Sequence, residues 1–408
     1  MTRCGLLGEK LAHSYSPAIH ARLGGYEYKL YEKTPAELDA FLRSGPWDAL
    51  NVTIPYKKAV LAYCTELSDT ARRIGSVNTL LRLPGGGLYG DNTDAFGFRL
   101  LLRRLGFDPA GKKALVFGSG GASATVCAVL EELGAASVTA VSRRGEENYG
   151  NLSRHADAQL IVNATPVGMY PHNGAALCSL ADFPRCEAVA DLVYNPARTA
   201  LLLDAESRGI PYANGLAMLV AQAGRSAELF LGKPIDGGMI DDIERALSFE
   251  MRNIVLVGMP GSGKSTLARL LADALGRDCL EADAEIERAA GKSIPAIFAS
   301  DGEACFRALE TQTLAALGKR SGAVIATGGG CVTREENYPL LHQNGVIVWL
   351  RRATDKLPRE GRPISLKSDL ELLYAQRRPL YERFADIAVS NDGAPEDTLR
   401  EILETIRA

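Results

Sequence analysis

Apolar residues in this chain fall in short runs, and two of those runs lead straight into glycine-rich turns. "KKALVFGSGGASA" begins at Lys112 and "RNIVLVGMPGSGKST" begins at Arg252. A short apolar strand followed by glycines and then by small or helix-forming residues predicts the strand, turn and helix of a nucleotide-binding unit. The two turns are too different to be one motif repeated, and they lie far apart, so they predict independent α/β units. Ahead of the second, "MIDDIERALSFEM" places Ile240, Ile243, Leu247 and Met251 at helical spacing, which predicts a helix closing the first unit. No Gly/Ser- or Pro-rich stretch separates Ser248 from Asn253, so the junction should be short. Upstream of Lys112, strand-like and helix-like stretches alternate around the polar clusters "HSYSP", "NVTIPYK", "GSVNT" and "GDNTDAFG". Polar clusters between apolar segments are where an α/β sheet carries ligand-binding loops, so a separate N-terminal substrate domain is expected.

Composition narrows the class of partner. A chain of 408 residues exceeds what one core usually organises, which predicts two or three domains. Hydrophobic residues make up 46% and charged residues 23%, so a folded globular protein is expected rather than a disordered or fibrous one. The net charge is only -3 and no long Lys/Arg block occurs, which argues against nucleic acid and for small molecules. No apolar run approaches the roughly 18 residues that span a membrane. The eight cysteines are scattered without a C-x-x-C pair, which predicts buried free thiols rather than a zinc or redox site. With no apolar secretory leader evident, a cytoplasmic protein is expected.

The second glycine turn is the more specific. Gly258 to Ser265 reads G-M-P-G-S-G-K-S. Backbone N–H groups must surround phosphates, so glycines keep side chains away while a lysine supplies charge. Gly261, Ser262, Gly263, Lys264, Ser265 and Thr266 are therefore the expected nucleotide-phosphate contacts, with Ser265 as a Mg2+ ligand. Downstream, "EADAEIE" holds Asp283, and "DGEACFRALE" sets Glu303, Arg307 and Glu310 on one helical face, where a surface salt bridge is the plain reading. "VIATGGG" ends a strand in Gly328, Gly329 and Gly330, which suggests close approach of a ligand or chain segment. From Asn253 to Ala408 this combination resembles shikimate kinase. The resemblance implies that Asp283 contacts the acceptor hydroxyl as a candidate base and acts with Lys264 in catalysis. It also implies that Arg307 and Arg377 bind the substrate carboxylate, that Gly329 approaches the substrate, and that Arg362 in "GRPIS" closes on the phosphates. Glu281 and Ala282 stand where the family usually has Asp-Ser, and "RPIS" replaces the commoner "RPLL".

The first turn reads G-S-G-G-A through Gly118, Ser119, Gly120, Gly121 and Ala122, a shortened relative of the dinucleotide fingerprint. The following strand, "SVTAVS", runs into Ser142, Arg143 and Arg144, near the position where an NAD-binding protein carries a ribose-binding acid. Two arginines suit a 2′-phosphate instead, which favours NADP(H). Seven motifs, "HSYSP", "NVTIPYK", "GSVNT", "GDNTD", "NATPVGM", "DLVYNP" and "NGLAMLVAQA", occur in the order found in shikimate dehydrogenases, so the chain from Arg3 to about Ser248 resembles that family. The resemblance implies a substrate set of Ser14, Ser16, Thr53, Lys57, Asn78, Asp94, Tyr194 and Gln222, with Leu192 and Gly215 beside the cofactor. Lys57 and Asp94 can supply and orient the proton of ketone reduction, and a coupled pair leaves open which of them transfers it. Glu9 and Lys10 replace a common proline-containing turn, and Ala21 follows His20 where asparagine is usual. His13 and His20 are read as loop-positioning residues, with no metal assigned to them.

The expected architecture is α/β throughout. A substrate-binding domain spans 1–100 and is completed by 215–248, a Rossmann-like NADP domain spans 101–214, and a P-loop kinase domain with a parallel sheet spans 252–408. The two resemblances together imply reduction of 3-dehydroshikimate by NADPH followed by Mg-ATP phosphorylation of shikimate at the new hydroxyl. A dehydrogenase that also oxidises quinate, paired with the same kinase, is the enzymatic alternative. A catalytically inactive shikimate-sensing regulator is the other, and retention of Lys57, Asp94, Lys264, Asp283 and Arg307 argues against it. Self-association as a homodimer stays open.

Overall fold

The computed structural model describes residues 2–11, 14–357 and 370–407, so His13 and Arg362 lie outside the described residues. The chain divides into two compact units, Met1–Tyr194 with Leu201–Leu247, and Asn195–Ala200 with Ser248–Ala408.

The first unit contains two sheets. Strands β1 (Arg3–Gly8), β2 (Glu27–Glu32), β3 (Ala49–Val52), β4 (Glu66–Leu67), β5 (Thr79–Arg82) and β6 (Leu88–Asp91) form a six-stranded sheet in the order β2-β1-β3-β5-β6-β4. β1 pairs parallel with β2 and β3, whereas β5 runs antiparallel to both β3 and β6. Trp47, Leu50, Val52 and Leu80 anchor its core. The next five strands are β7 (Lys113–Phe117), β8 (Ser137–Val141), β9 (Leu160–Asn163), β10 (Ala188–Asp191) and β11 (Tyr212–Ala213). They make an all-parallel sheet in the order β11-β10-β9-β7-β8. Every residue of β9 and β10 is buried, as expected where helices cover both faces of a parallel sheet. The strand order reverses between β7 and β9, which opens a crevice at their C-terminal ends.

The boundary expected at residue 100 falls inside the helix Asp94–Leu105. Phe98, Leu101 and Leu102 of that helix pack with Val116, Val126 and Leu160 of the second sheet, so one element serves both pieces. The chain then returns through the helix Leu216–Leu231, which approaches closely enough that a Cβ on Gly97 would lie 2.5 Å from the Met218 carbonyl oxygen.

The second unit has one parallel sheet of β12 (Asn253–Val257), β13 (Cys279–Glu281), β14 (Val324–Ala326), β15 (Gly345–Arg351) and β16 (Ile387–Ser390), in the order β13-β14-β12-β15-β16. All five residues of β12 are buried. The unit also gathers Asn195–Ala200, which the sequence reading places in the cofactor domain; Arg198 there donates its backbone N–H to the Gln343 carbonyl at 2.8 Å. Arg252 alone separates the helix Gly237–Met251 from β12. Among the described residues no cysteine is in a disulfide, and Cys4 and Cys331 are buried, but Cys305 is exposed, contrary to the expectation of buried thiols throughout. No described helix is long and apolar enough to cross a membrane.

Candidate active sites

In the first unit the two sheets present their strand ends to a common region. Lys57 follows β3 by five residues, Asp94 opens the helix Asp94–Leu105, Asn78 leads into β5, and Gln222 projects from the helix Leu216–Leu231. An acid in the first turn of a helix is favoured by the helix dipole. Lys57 Nζ lies 2.6 Å from Asp94 Oδ2, with the two side chains 18% and 9% exposed. Asn78 Nδ2 donates to Asp94 Oδ1 at 2.9 Å and to Gln222 Oε1 at 3.4 Å, and the Thr93 N–H donates to Asn78 Oδ1 at 2.7 Å. Ser226 Oγ joins Thr79 and Thr93 behind them, at 3.0 Å from each hydroxyl. A buried network satisfied in this way holds its members in one arrangement. Asp94 is thereby fixed through both oxygens, and Lys57 keeps further N–H donors for a ligand.

Ser14 and Ser16 lie between β1 and β2, Thr53 follows β3, and Tyr194 follows β10. The Ser16 N–H donates to Ser14 Oγ at 3.2 Å, just past β1. The Tyr15 ring between them meets the Tyr194 ring edge-on at 5.8 Å, which ties the end of β10 to that loop. Thr53, at the end of β3, donates its N–H to Leu7 of β1 at 2.9 Å. Burial pushes the Tyr194 phenol up to about 12, so it remains a hydroxyl donor at neutral pH.

The glycine turn follows β7. Gly118 has φ 132°, and a Cβ there would lie 2.9 Å from the Ala164 carbonyl oxygen at the end of β9. The helix Gly121–Glu132 begins at once, and its free N–H groups face the crevice. A Cβ on Gly121 would stand 3.5 Å from Lys57 Cδ, so the turn and the Lys57–Asp94 pair are neighbours. Gly215 sits against Leu192, whose carbonyl oxygen would be 2.1 Å from an added Cβ. Ser142 follows β8, and Arg143 and Arg144 extend beyond it into solvent.

In the second unit a cavity of about 600 Å3 joins the phosphate-loop residues Gly261, Gly263, Lys264, Ser265 and Thr266 to Asp283, Arg307, Gly329 and Arg377. Lys264 folds back to donate to the carbonyls of Gly258 and Met259 at 2.9 and 3.0 Å. Ser262 turns its carbonyl to Asn391, whose Nδ2 donates to it at 2.6 Å. The three glycines after β14 are each required by a different neighbour. A Cβ on Gly328 would lie 2.9 Å from Asp283 Oδ1, one on Gly329 2.6 Å from Pro260 Cδ, and one on Gly330 2.3 Å from Arg307 Nη1. Arg377 Nη1 and the Tyr381 hydroxyl both donate to the Gly329 carbonyl, at 3.0 and 2.5 Å.

The comparisons with known proteins agree with this division. The shikimate dehydrogenase substrate binding domain family matches residues 6–80, and the shikimate kinase family matches residues 260–407. A shikimate dehydrogenase (NADP(+)) of Symbiobacterium thermophilum is 37% identical over 266 residues, covering 57% of this chain and 90% of that protein. A shikimate kinase of Synechococcus is 44% identical over 165 residues, covering 38% of this chain and 82% of that protein. The chain is a shikimate dehydrogenase family member fused to a shikimate kinase family member. A solved shikimate 5-dehydrogenase from Thermus thermophilus, in complex with NADP(H) and shikimate, superposes with a TM-score of 0.55 at 33% identity, covering 60% of this chain and 99% of that one. The fusion is thus a bifunctional enzyme of the shikimate pathway.

In the kinase part the structure sets aside the plain alternative for Arg307. Arg307, Glu303 and Glu310 do share a helical face, but they are not a surface pair: Glu310 is only 1% exposed, against 61% for Glu303. Arg307 Nη1 donates to Glu310 Oε2 at 2.8 Å, while burial pushes the Glu310 carboxyl above the usual range against the pull of that guanidinium. Glu310 Oε1 has no hydrogen-bond partner among the described residues and would lie 2.8 Å from a Cβ on Gly328. In the dehydrogenase part, Thr93 of "GDNTD" joins the network through its N–H and hydroxyl, which the motif does not announce. Ser226 carries no local signal for the site, because Asn51, Thr79 and Thr93, which its hydroxyl meets, are more than a hundred residues away in sequence.

Proposed function

We propose that the dehydrogenase part reduces 3-dehydroshikimate to shikimate with NADPH, and that the kinase part transfers the γ-phosphoryl group of Mg-ATP to the 3-hydroxyl so formed. The observation that carries the reading is the pairing, in each part, of a glycine cradle with a proton-handling carboxylate. Gly121 adjoins Lys57 and Asp94 in the first, and the phosphate loop shares one cavity with Asp283 in the second.

The residues of the first cradle fit a dinucleotide. Gly118 leaves the room a Cβ would fill, the helix N-terminus at Gly121 offers N–H groups to a pyrophosphate, and Ser142, Arg143 and Arg144 suit a 2′-phosphate in place of the acid that would repel it. NADPH, when bound, supplies the hydride. Ser14, Ser16, Asn78, Thr53 and Gln222 offer hydrogen bonds to the acid's hydroxyls and carboxylate, with the Tyr194 phenol as a further donor. Lys57 and Asp94 deliver a proton to the carbonyl oxygen and are reprotonated from solvent through the exposed side of Lys57. Leu192 and Gly215 shape the wall beside the cofactor.

In the second cradle Lys264 leaves its loop carbonyls to neutralise the β- and γ-phosphates, and Ser265 contributes a hydroxyl to Mg2+. Among the described residues no group of three or more His, Cys, Asp or Glu could hold a metal ion. A Mg2+ carried on substrate phosphates needs no such cage, so Ser265 and the donor chemistry fit it. Asp283 accepts the proton of the attacking hydroxyl, and Arg307 and Arg377 pair with the carboxylate beside Gly329. Arg362 is assigned to the closing lid on the family resemblance alone. Incubation with 3-dehydroshikimate, NADPH and Mg-ATP tests the whole reading: shikimate and then its 3-phosphate should form, with one NADPH oxidised and one ADP released for each completed molecule. Failure to form either product would sink the corresponding half.

A further inference from the structure

The kinase reading leaves one cation in the phosphate-loop cavity without a role. Arg352 follows β15, which flanks β12 on the side away from β14. Of the groups proposed for the phosphoryl acceptor, Asp283, Arg307 and Gly329 belong to the β13–β14 side, and Arg377 reaches over to the Gly329 carbonyl from the helix Leu370–Phe384. Arg352 Nη1 lies 3.8 Å from where a Cβ of Gly263 would stand, and the side chain lines the same cavity as Lys264 and Thr266. It also lines a neighbouring cavity with Tyr374, Ser390 and Asp392, so it borders both. Its Nε is buried and has no hydrogen-bond partner among the described residues. Among the described residues, the other two arginines of the cavity are engaged: Arg307 by Glu303 and Glu310, and Arg377 by the Gly329 carbonyl.

We propose that Arg352 binds the α-phosphate of the nucleoside di- or triphosphate, on the nucleoside side of the phosphate loop. The inference rests on the kinase reading above and adds a residue that the family motifs do not name. A loop that wraps the β-phosphate and points the γ-phosphate at Asp283 must send the rest of the nucleotide the opposite way, toward β15 and β16. A planar guanidinium there meets phosphate oxygens through paired N–H groups, and an anionic oxygen supplies the acceptor that Nε lacks. A phosphate at Arg352 also leaves the adjoining cavity beside Ser390 and Asp392 open to the ribose and base.

Calorimetric titration of the full chain with Mg-ADP, and separately with shikimate, tests this. Arg352→Gln should weaken Mg-ADP binding about tenfold to a hundredfold, the loss of one charge-assisted contact, while shikimate affinity stays within about twofold. Arg352→Lys should recover part of the loss, since it restores charge without the fork. Unchanged Mg-ADP affinity in Arg352→Gln would overturn the assignment. So would equal losses for Mg-ADP and shikimate, which would mark a structural role. If the unaltered chain failed to bind Mg-ADP at all, the kinase reading itself would fall.

Discussion

β7 and β12 each end in a glycine whose φ is positive, 132° at Gly118 and 147° at Gly258. In both, an added Cβ would strike a carbonyl oxygen of the strand next door, that of Ala164 at 2.9 Å in the first and of Leu350 at 2.6 Å in the second. From there the two turns part. After Gly118 the space opens: Gly120 has nothing within 4 Å of a prospective Cβ, and the basic residues, Arg143 and Arg144, wait in solvent at the end of the adjacent strand. After Gly258 the loop closes on itself, with Lys264 only 9% exposed and bonded to two loop carbonyls, and with Asn391 gripping Ser262 from outside. A ligand that must only be held can be recognised by charge at arm's length. A ligand whose phosphate is to be broken needs the charge inside the loop, positioned before it arrives.

Exchanging the two lysines for alanine should give the largest effects and the cleanest contrast. Lys264→Ala should lower phosphoryl transfer by about 10^3-fold or more while ketone reduction continues near the parental rate. Lys57→Ala should do the converse, with reductase turnover falling on the order of 10^2–10^4-fold. Steady-state rates of both half-reactions on each variant would show it, and a single lysine whose removal silenced both would break the division.

Removing the exposed charge should cost selectivity rather than chemistry. With Arg143 and Arg144 both changed to Ala, NADPH affinity should fall about tenfold to a hundredfold, and NADH affinity should change by less than about threefold. Fluorescence titration with each nucleotide decides this, and parallel losses would remove the 2′-phosphate role.

Asn391→Ala should lower the stability of the kinase part by about 1–2 kcal/mol, because the Ser262 carbonyl loses a buried donor. The expected readout is an earlier denaturant midpoint for kinase activity with the midpoint for dehydrogenase activity unmoved. The smallest change belongs to the open turn. Gly120→Ala, at φ -87° or nearby extended values and with free space around it, should alter stability by less than about 0.5 kcal/mol. A large loss there, measured by the same denaturation, would show that the first turn is as tightly enclosed as the second.

The α/β class and the two nucleotide units could be read from the sequence because their signals are local, with strand, glycines and following helix in about fifteen consecutive residues at Lys112 and again at Arg252, and the family resemblances rest on further short motifs that are each local as well. What could not be read is what reaches those turns from far along the chain. Asn391 lies 129 residues from Ser262. Offsets of three and four residues put Glu303 and Glu310 equally well beside Arg307, and periodicity alone does not say which acid faces inward. Only the packing of the helix Gly302–Leu317 against the glycine triplet buries Glu310 and leaves Glu303 in water. The expected boundary at residue 100 falls within the helix Asp94–Leu105, whose first residue pairs with Lys57 and whose apolar face packs on the second sheet, and local pattern does not show such sharing.

The triplet Gly328–Gly330 has a further consequence. Its members carry no side chains, yet the first adjoins the Asp283 carboxylate, the second Pro260 of the phosphate loop, and the third the Arg307 guanidinium. Three successive missing methyl groups therefore set how near three separate parts of the kinase may come to one another. Proximity is stored here as vacant volume, which a single added carbon would fill. On the proposed kinase reading, room for a bulkier acid would come from the cavity's apolar side, at Ile294, Phe298 or Phe306, where side chains can be trimmed by degrees.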